Sequence, residues 1–187
     1  MAGNEKISLK LNLGCGGNLK EDYLNIDTKA PENLPKEYNF RQGDAGNLFF
    51  IPDKCVDEIY AKYLIEHIHI LDLKEYLFEW RRVLKEDGKL IVIFPDFDKI
   101  IKEYKKCKDL LFLDDFMNFV GLTYHLLNAT QRLDLVKADQ HRAIITKKLL
   151  EVYFKSEGFE ITKTEAYGSV QEKKFLTLIE AKKIRKD

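Results

Sequence analysis

The sequence predicts an α/β fold on a largely parallel sheet, and three observations carry that reading. Short apolar runs with strand character alternate along the chain with amphipathic helical stretches. The first run ends directly in a glycine turn, Leu13-Gly14-Cys15-Gly16-Gly17. Asp27, Asp44, the stretch from Tyr63 to His67 and Pro95-Asp96 each follow such a run. Polar residues therefore collect at strand carboxyl ends, where open α/β sheets hold their ligands.

The length of 187 residues suits a single domain with a full core. Lysine plus arginine equals aspartate plus glutamate at 31 each, so no basic surplus argues for a nucleic-acid partner. The amino terminus lacks the apolar run of a signal peptide. No stretch approaches the roughly 20 apolar residues of a membrane span, so a cytoplasmic protein without a membrane partner is expected. Cys15, Cys55 and Cys107 are scattered and odd in number, which fits reduced thiols better than a disulfide frame or zinc site. Cys15 reads as a small packing residue rather than a nucleophile.

Taken in order, the first strand covers about Ser8 to Leu13 and the second Tyr23 to Asp27. Only ten residues separate Leu13 from Leu24, whereas a parallel crossover usually takes about a dozen or more. The first helix is therefore expected to be very short or replaced by a turn. Two prolines mark 30–35 as loop, and Tyr38 to Gln42 is a third strand ending at Gly43-Asp44-Ala45. Asn47 to Lys54 is loop. Val56 to Tyr63 alternates like a strand. Asp72 is placed to cap a helix to about Leu84, with Leu73, Tyr76, Leu77, Trp80 and Leu84 on one face. Asp87-Gly88 reads as a turn before Lys89 to Phe94, a run apolar enough for a central strand covered on both faces.

Residues 96–140 exceed what one crossover needs. They read as a helical insertion, with helices at 98–105 and 110–127, and as a candidate cap over the acceptor. The charge run from Lys99 to Lys108 reads as a solvated helix face. Thr146 caps a helix from Lys147 to Glu157, and Gly158 ends it. Phe159 to Tyr167 and Lys174 to Lys182 are two strands with too little chain between them for a helix, which makes one edge antiparallel.

At the level of motifs, Leu11-Asn12-Leu13-Gly14-Cys15-Gly16 resembles the first motif of class I S-adenosylmethionine-dependent methyltransferases. Asp27 matches the acid that holds the ribose hydroxyls in that family, and Gly43-Asp44-Ala45 is similar to the element whose acid meets the adenine amine. Leu64-Ile65-Glu66-His67-Ile68 resembles the element after the family's fourth strand. His141, Thr146, Leu149-Leu150 and Gly158-Phe159 resemble the ending of its small type-11 branch. The resemblance implies a Rossmann-like three-layer sandwich with a seven-stranded sheet, the last strand antiparallel. It implies S-adenosylmethionine as cofactor, with Leu13, Gly14, Cys15, Gly16, Asp27, Asp44, Ala45 and Tyr63 around it. It also implies in-line methyl transfer to an unidentified acceptor, of small-molecule or sugar type. The compressed gap between Gly17 and Asp27 departs from most members of the family.

Each site residue has a plainer reading beside the functional one. Asp27 is also a turn acid, and Gly-Asp-Ala is ordinary turn chemistry. Glu66 and His67 either line the active site or begin a helix. His141, in a polar loop, either faces the acceptor or anchors that loop. His67 is the first candidate for a catalytic base and His141 the second, because neutral imidazole suits proton transfer near neutral pH. His67 and His69 point to different faces and make a poor metal pair, so no metal is expected. A non-catalytic cofactor-binding module and a nicotinamide-dependent oxidoreductase are the rival functions. The short gap to Asp27 and the lack of a second mononucleotide half weigh against the oxidoreductase. The oligomeric state has no signature in the sequence.

Overall fold

The computed structural model describes residues 8–106 and 141–184. Seven strands form one sheet: β1 Lys10–Leu13, β2 Leu24–Asp27, β3 Phe40–Gln42, β4 Val56–Lys62, β5 Leu84–Pro95, β6 Phe159–Ala166 and β7 Leu176–Lys183. Their order is β3-β2-β1-β4-β5-β7-β6. β1 to β5 run parallel, and β7 lies antiparallel to both β5 and β6. The chain turns back beside β1 to begin β4, so strand order reverses at β1 and its carboxyl end is the ligand-binding position of such a sheet.

Among the described residues, three α-helices cover this sheet: α1 Leu73–Val83, α2 Phe97–Lys106 and α3 Lys147–Glu157. Leu73, Leu77, Trp80 and Val83 of α1 and Leu150 and Phe154 of α3 are buried in the main core with Leu11, Leu13, Ile26, Ile59 and Val92. Ile100 of α2 belongs to a second cluster on Ile91, Ile93, Leu176 and Leu178. β5 is apolar in an unbroken run from Leu90 to Phe94 because it is covered on both faces.

The expected absence of a first helix holds. Residues 14–23 form turns, and two buried asparagines take over the helix's work. Asn12 and Asn25 are partners in the β1–β2 register, and the Asn12 Nδ2 donates to Asn25 Oδ1 at 2.8 Å. Asn25 Nδ2 donates to the carbonyls of Lys20, Tyr23 and Asn39, and its Oδ1 accepts the Lys20 amide. Asn12 Nδ2 also reaches the Asn18 carbonyl. The crossover lays Tyr23 and Lys20 over the sheet instead of a helix: the Lys20 ammonium sits 4.2 Å from the Tyr60 ring centroid, and the Tyr23 hydroxyl donates to Glu58.

Two local expectations are corrected. Asp72 stands at the helix start, but its side chain makes no capping bond. Its φ and ψ of −90° and −12° are already helical, while a capping side chain needs an extended residue to reach back. The Asp87-Gly88 turn lies inside β5, not before it. Val56 pairs with Leu84 and Glu58 with Lys89, so β5 bulges between them, and Asp87 takes a φ of +62° at the bend. The cap of α3 is as expected: Thr146 Oγ1 accepts the Leu149 amide, and Gly158 ends the helix at φ +82°. The expected helix at 110–127 and most of the 96–140 insertion lie outside the described residues. α2 is the part that is seen.

Candidate functional site

β1 delivers Leu13, fully buried, to the sheet's carboxyl edge, and the chain then turns sharply. Gly14 at φ +61° and Gly16 at φ +48° occupy the left-handed region that a side chain makes costly. A Cβ on Gly14 would stand 2.7 Å from Leu64 Cδ1, so the turn is pressed against the segment after β4. A Cβ on Gly16 or Gly17 would meet nothing within 4 Å, so the outer side of the turn is open backbone that a ligand can approach.

Asp27 ends β2 beside this turn. Its Oδ2 accepts the Gly16 amide at 2.8 Å and its Oδ1 accepts the Lys29 amide at 3.2 Å. The Cys15 amide donates to the Ile26 carbonyl. Cys15 itself is buried, and burial, with Asp27 nearby, pushes its thiol up to about 12. That removes thiolate chemistry at neutral pH and agrees with a packing role.

After β3, Asp44 is exposed, and its Oδ1 accepts the Gly46 amide at 2.7 Å and the Tyr76 hydroxyl at 3.1 Å. The buried Ala45 gives its carbonyl to the Trp80 indole N–H at 2.8 Å. Farther along this loop the Leu48 amide donates to Glu79, and Arg82 donates to the carbonyls of Leu48 and Ile51. Helix α1 thus holds the whole loop that presents Asp44.

At the end of β4, Tyr63 has a φ of +56°, rare for a bulky residue, and its amide donates to Ile93. A single 3-10 turn, Ile65–His67, follows. Its Glu66 carbonyl accepts the amides of Arg142 and Ala143, at 2.7 and 3.1 Å. These two bonds dock the segment before α3 onto the turn and bring together the two histidines named from the sequence. The rings of His67 and His141 meet edge to face with centroids 4.9 Å apart. His69 is exposed and accepts the Leu71 amide instead.

Glu66 was paired with His67 in the sequence but given no chemical role of its own. It is 2% exposed, and neither carboxylate oxygen has a hydrogen-bond partner among the described residues. Burial raises its pKa to about 8. One ligand atom each from Glu66, His67 and His141 lies within 4.8 Å of the other two. Asp96, also at a strand end, is structural. It is buried, accepts the Thr177 hydroxyl at 2.9 Å, and receives the amides of Asp98 and Lys147 at the starts of α2 and α3. Asn12 and Asn25 were missed as site residues. A polar residue at the middle of each of two short apolar strands is the signal that could have found them.

The Asp27 turn, the Asp44 loop and the Glu66–His67–His141 group share the carboxyl edge, on either side of β1. Residues 11–92 match the family model described as "Methyltransferase domain". An uncharacterized protein of Methanocaldococcus jannaschii, MJ0638, is 34% identical over 107 residues, which is 54% of this chain and 46% of that protein. The chain therefore spans about half the length of that curated relative. Among solved structures, a SAM-dependent methyltransferase of Methanosarcina mazei aligns with TM-score 0.62 at 16% identity, covering 95% of this chain and 92% of that one. The 1,6-didemethyltoxoflavin-N1-methyltransferase of Burkholderia thailandensis, solved with 1,6-didemethyltoxoflavin and S-adenosylhomocysteine, aligns with TM-score 0.61 at 12% identity over 95% and 72%.

Proposed function

We propose, from the methyltransferase-like fold of the sheet and the match of residues 11–92 to a methyltransferase-domain family model, that the chain transfers a methyl group from S-adenosylmethionine to a small-molecule or sugar-type acceptor. The observation that carries this reading is the open glycine turn held by Asp27 at the point where strand order reverses. Such a turn offers bare amides for close approach, with a carboxylate beside them for hydroxyl groups.

The residues present fit the cofactor. Leu13, Gly14, Cys15 and Gly16 form the floor, and Asp27 receives the ribose hydroxyls by exchanging its hold on local amides. Asp44 and the Ala45 backbone lie where the adenine would go, with Tyr63 across the turn. S-adenosylmethionine supplies a methyl group already activated by its sulfonium charge. The chain's own task is to hold the acceptor in line and exclude water, and orientation of this kind is worth on the order of 7–11 kcal/mol. His67 and His141 stand at the acceptor side, where an imidazole takes the acceptor's proton if that acceptor is a hydroxyl. A base contributes roughly 10²–10⁴-fold. The free cysteines Cys15 and Cys55 are the support for a cytoplasmic setting. None of the helices among the described residues is long and apolar enough to cross a membrane.

Titration with S-adenosylhomocysteine, followed by incubation of cell extract with labelled S-adenosylmethionine, tests this reading. It predicts binding of the product and label on a low-molecular-weight compound. Binding of NAD in place of S-adenosylhomocysteine would overturn it.

A further inference from the structure

We propose that Glu66, His67 and His141 form a binding site for a divalent first-row transition-metal ion, of the zinc type, at the acceptor side of the pocket. As to the ion's use, the inference rests on the methyl-transfer reading above; as to binding, it stands alone.

The ligand set is the first argument. Two imidazoles and one carboxylate, each offering one atom within 4.8 Å of the others, are the donors that zinc and its neighbours prefer. Magnesium and calcium want oxygen alone. Bonds of about 2.0–2.1 Å in tetrahedral geometry place ligand atoms roughly 3.3 Å apart. The set closes around an ion with side-chain shifts on the order of 1 Å.

Glu66 is the second, independent argument. Both oxygens of this buried carboxylate lack a partner among the described residues. A buried carboxylate without compensation costs several kcal/mol, and a cation between it and the histidines supplies the compensation. The backbone provides the third. The Glu66 carbonyl clamps the amides of Arg142 and Ala143, so His141 is held against His67 by main chain and not by a flexible contact. Two ligands adjacent in sequence and a third delivered by another element are thereby preorganised.

Three protein ligands leave at least one position open, as in catalytic metal sites. Leu64, two residues before Glu66, packs against Gly14, so the ligand group lies close to the proposed cofactor turn. An acceptor hydroxyl oxygen occupying it loses its proton to solvent more readily. The oxygen then bonds to the methyl carbon as the carbon–sulfur bond breaks, and S-adenosylhomocysteine leaves uncharged. The acceptor class this implies is a small molecule with a metal-binding oxygen.

The full chain, stripped with chelator, is titrated calorimetrically with Zn²⁺ and spectroscopically with Co²⁺. S-adenosylhomocysteine affinity is measured on the same samples. Wild type and His69→Ala are expected to take up one equivalent, with Co²⁺ giving visible bands of a low-coordinate nitrogen–oxygen site. Glu66→Gln, His67→Ala and His141→Ala are each expected to bind at least about tenfold more weakly, because loss of even a supporting group around a metal costs about 10–100-fold. Glu66→Gln keeps the side-chain shape and removes only the capacity to ligate as a carboxylate, so it guards against a folding artefact. No uptake by wild type, or uptake that survives all three substitutions, overturns the site. S-adenosylhomocysteine binding without metal uptake defeats only this inference. Metal uptake without S-adenosylhomocysteine binding supports the site and defeats the methyltransferase reading.

Discussion

Replacing Asn25 with alanine tests the idea that asparagines stand in for the missing first helix. Five hydrogen bonds leave this side chain, to Asn12, to the amide and carbonyl of Lys20, and to the carbonyls of Tyr23 and Asn39. They are not all lost cleanly. Asn12 Nδ2 keeps the Asn18 carbonyl, the Asn39 carbonyl keeps the Asn25 amide, and the Lys20 carbonyl keeps a longer bond from Tyr23. The Lys20 amide and the Tyr23 carbonyl lose the only partners described. A hydrogen bond is worth about 1 kcal/mol net, and more when its partner is left buried and unsatisfied, so the expected loss is about 2–4 kcal/mol. In urea this lowers the midpoint by roughly 1–2 M for a typical slope. The crossover that carries the glycine turn should also open locally. A turn held in its binding shape by 1.4 kcal/mol less weakens ligand affinity about tenfold. Urea melts and calorimetric titration with S-adenosylhomocysteine measure both effects. Asn25→Asp should be at least as harmful, because it turns an acceptor toward three carbonyls. Loss of under about 0.5 kcal/mol together with unchanged affinity in Asn25→Ala would refute the reasoning.

Other substitutions probe other parts of the fold and site. Asp27→Ala should weaken S-adenosylhomocysteine binding about tenfold or more, since it removes both the proposed ribose acceptor and the bond to the Gly16 amide; calorimetry reads this directly. Gly14→Ala should destabilise by about 1–3 kcal/mol through its positive φ and the Leu64 clash, and Gly14→Ala/Leu64→Ala should relieve the clash while keeping the backbone strain; both are read from urea midpoints. Asp57 feels burial raising its pKa, but the Lys85 ammonium and the Leu9 amide outweigh it and hold the carboxyl below its usual range. A depressed carboxyl stabilises the fold above its unfolded pKa and ceases to do so as pH falls through the folded one. Asp57→Asn should therefore cost up to about 1 kcal/mol near pH 6 and almost nothing near pH 2, by thermal melts at both pH values. Cys15 should resist iodoacetamide at pH 8 until denaturant is added, as peptide mapping of the labelled chain would show.

The strands, the antiparallel edge and the helix-free crossover were legible because each rests on local pattern. Alternation placed β4, and the count of residues between Leu13 and Leu24 left room for only a very short helix or a turn. The bulge at Asp87 was not legible: a positive φ inside a strand looks, in sequence, like the turn that Asp-Gly usually makes. Asp72 has the right residue type for a cap, but the backbone at its position does not allow one. His67 and His141 could be named singly. Their meeting, across a sequence gap of more than seventy residues, depends on two backbone bonds to the Glu66 carbonyl that no residue type encodes. Glu66 reads from the sequence as either active-site lining or a helix start, and its burial was not legible, because burial of a carboxylate is a property of what folds over it.

Asp96 does more than start two helices. Its carboxylate joins the amides of Asp98 and Lys147, and next to it the Phe97 amide donates to the Ile145 carbonyl at 2.9 Å. The starts of α2 and α3 are therefore stapled side by side on the sheet. For a connection between two points fixed in this way, a doubling in length costs only about 0.6 kcal/mol of closure entropy. Insertions, deletions or whole exchanges within it should leave the sheet and the glycine turn undisturbed. The staple makes the connection between α2 and α3 a natural graft point, where chain can be exchanged in the laboratory at little cost to folding.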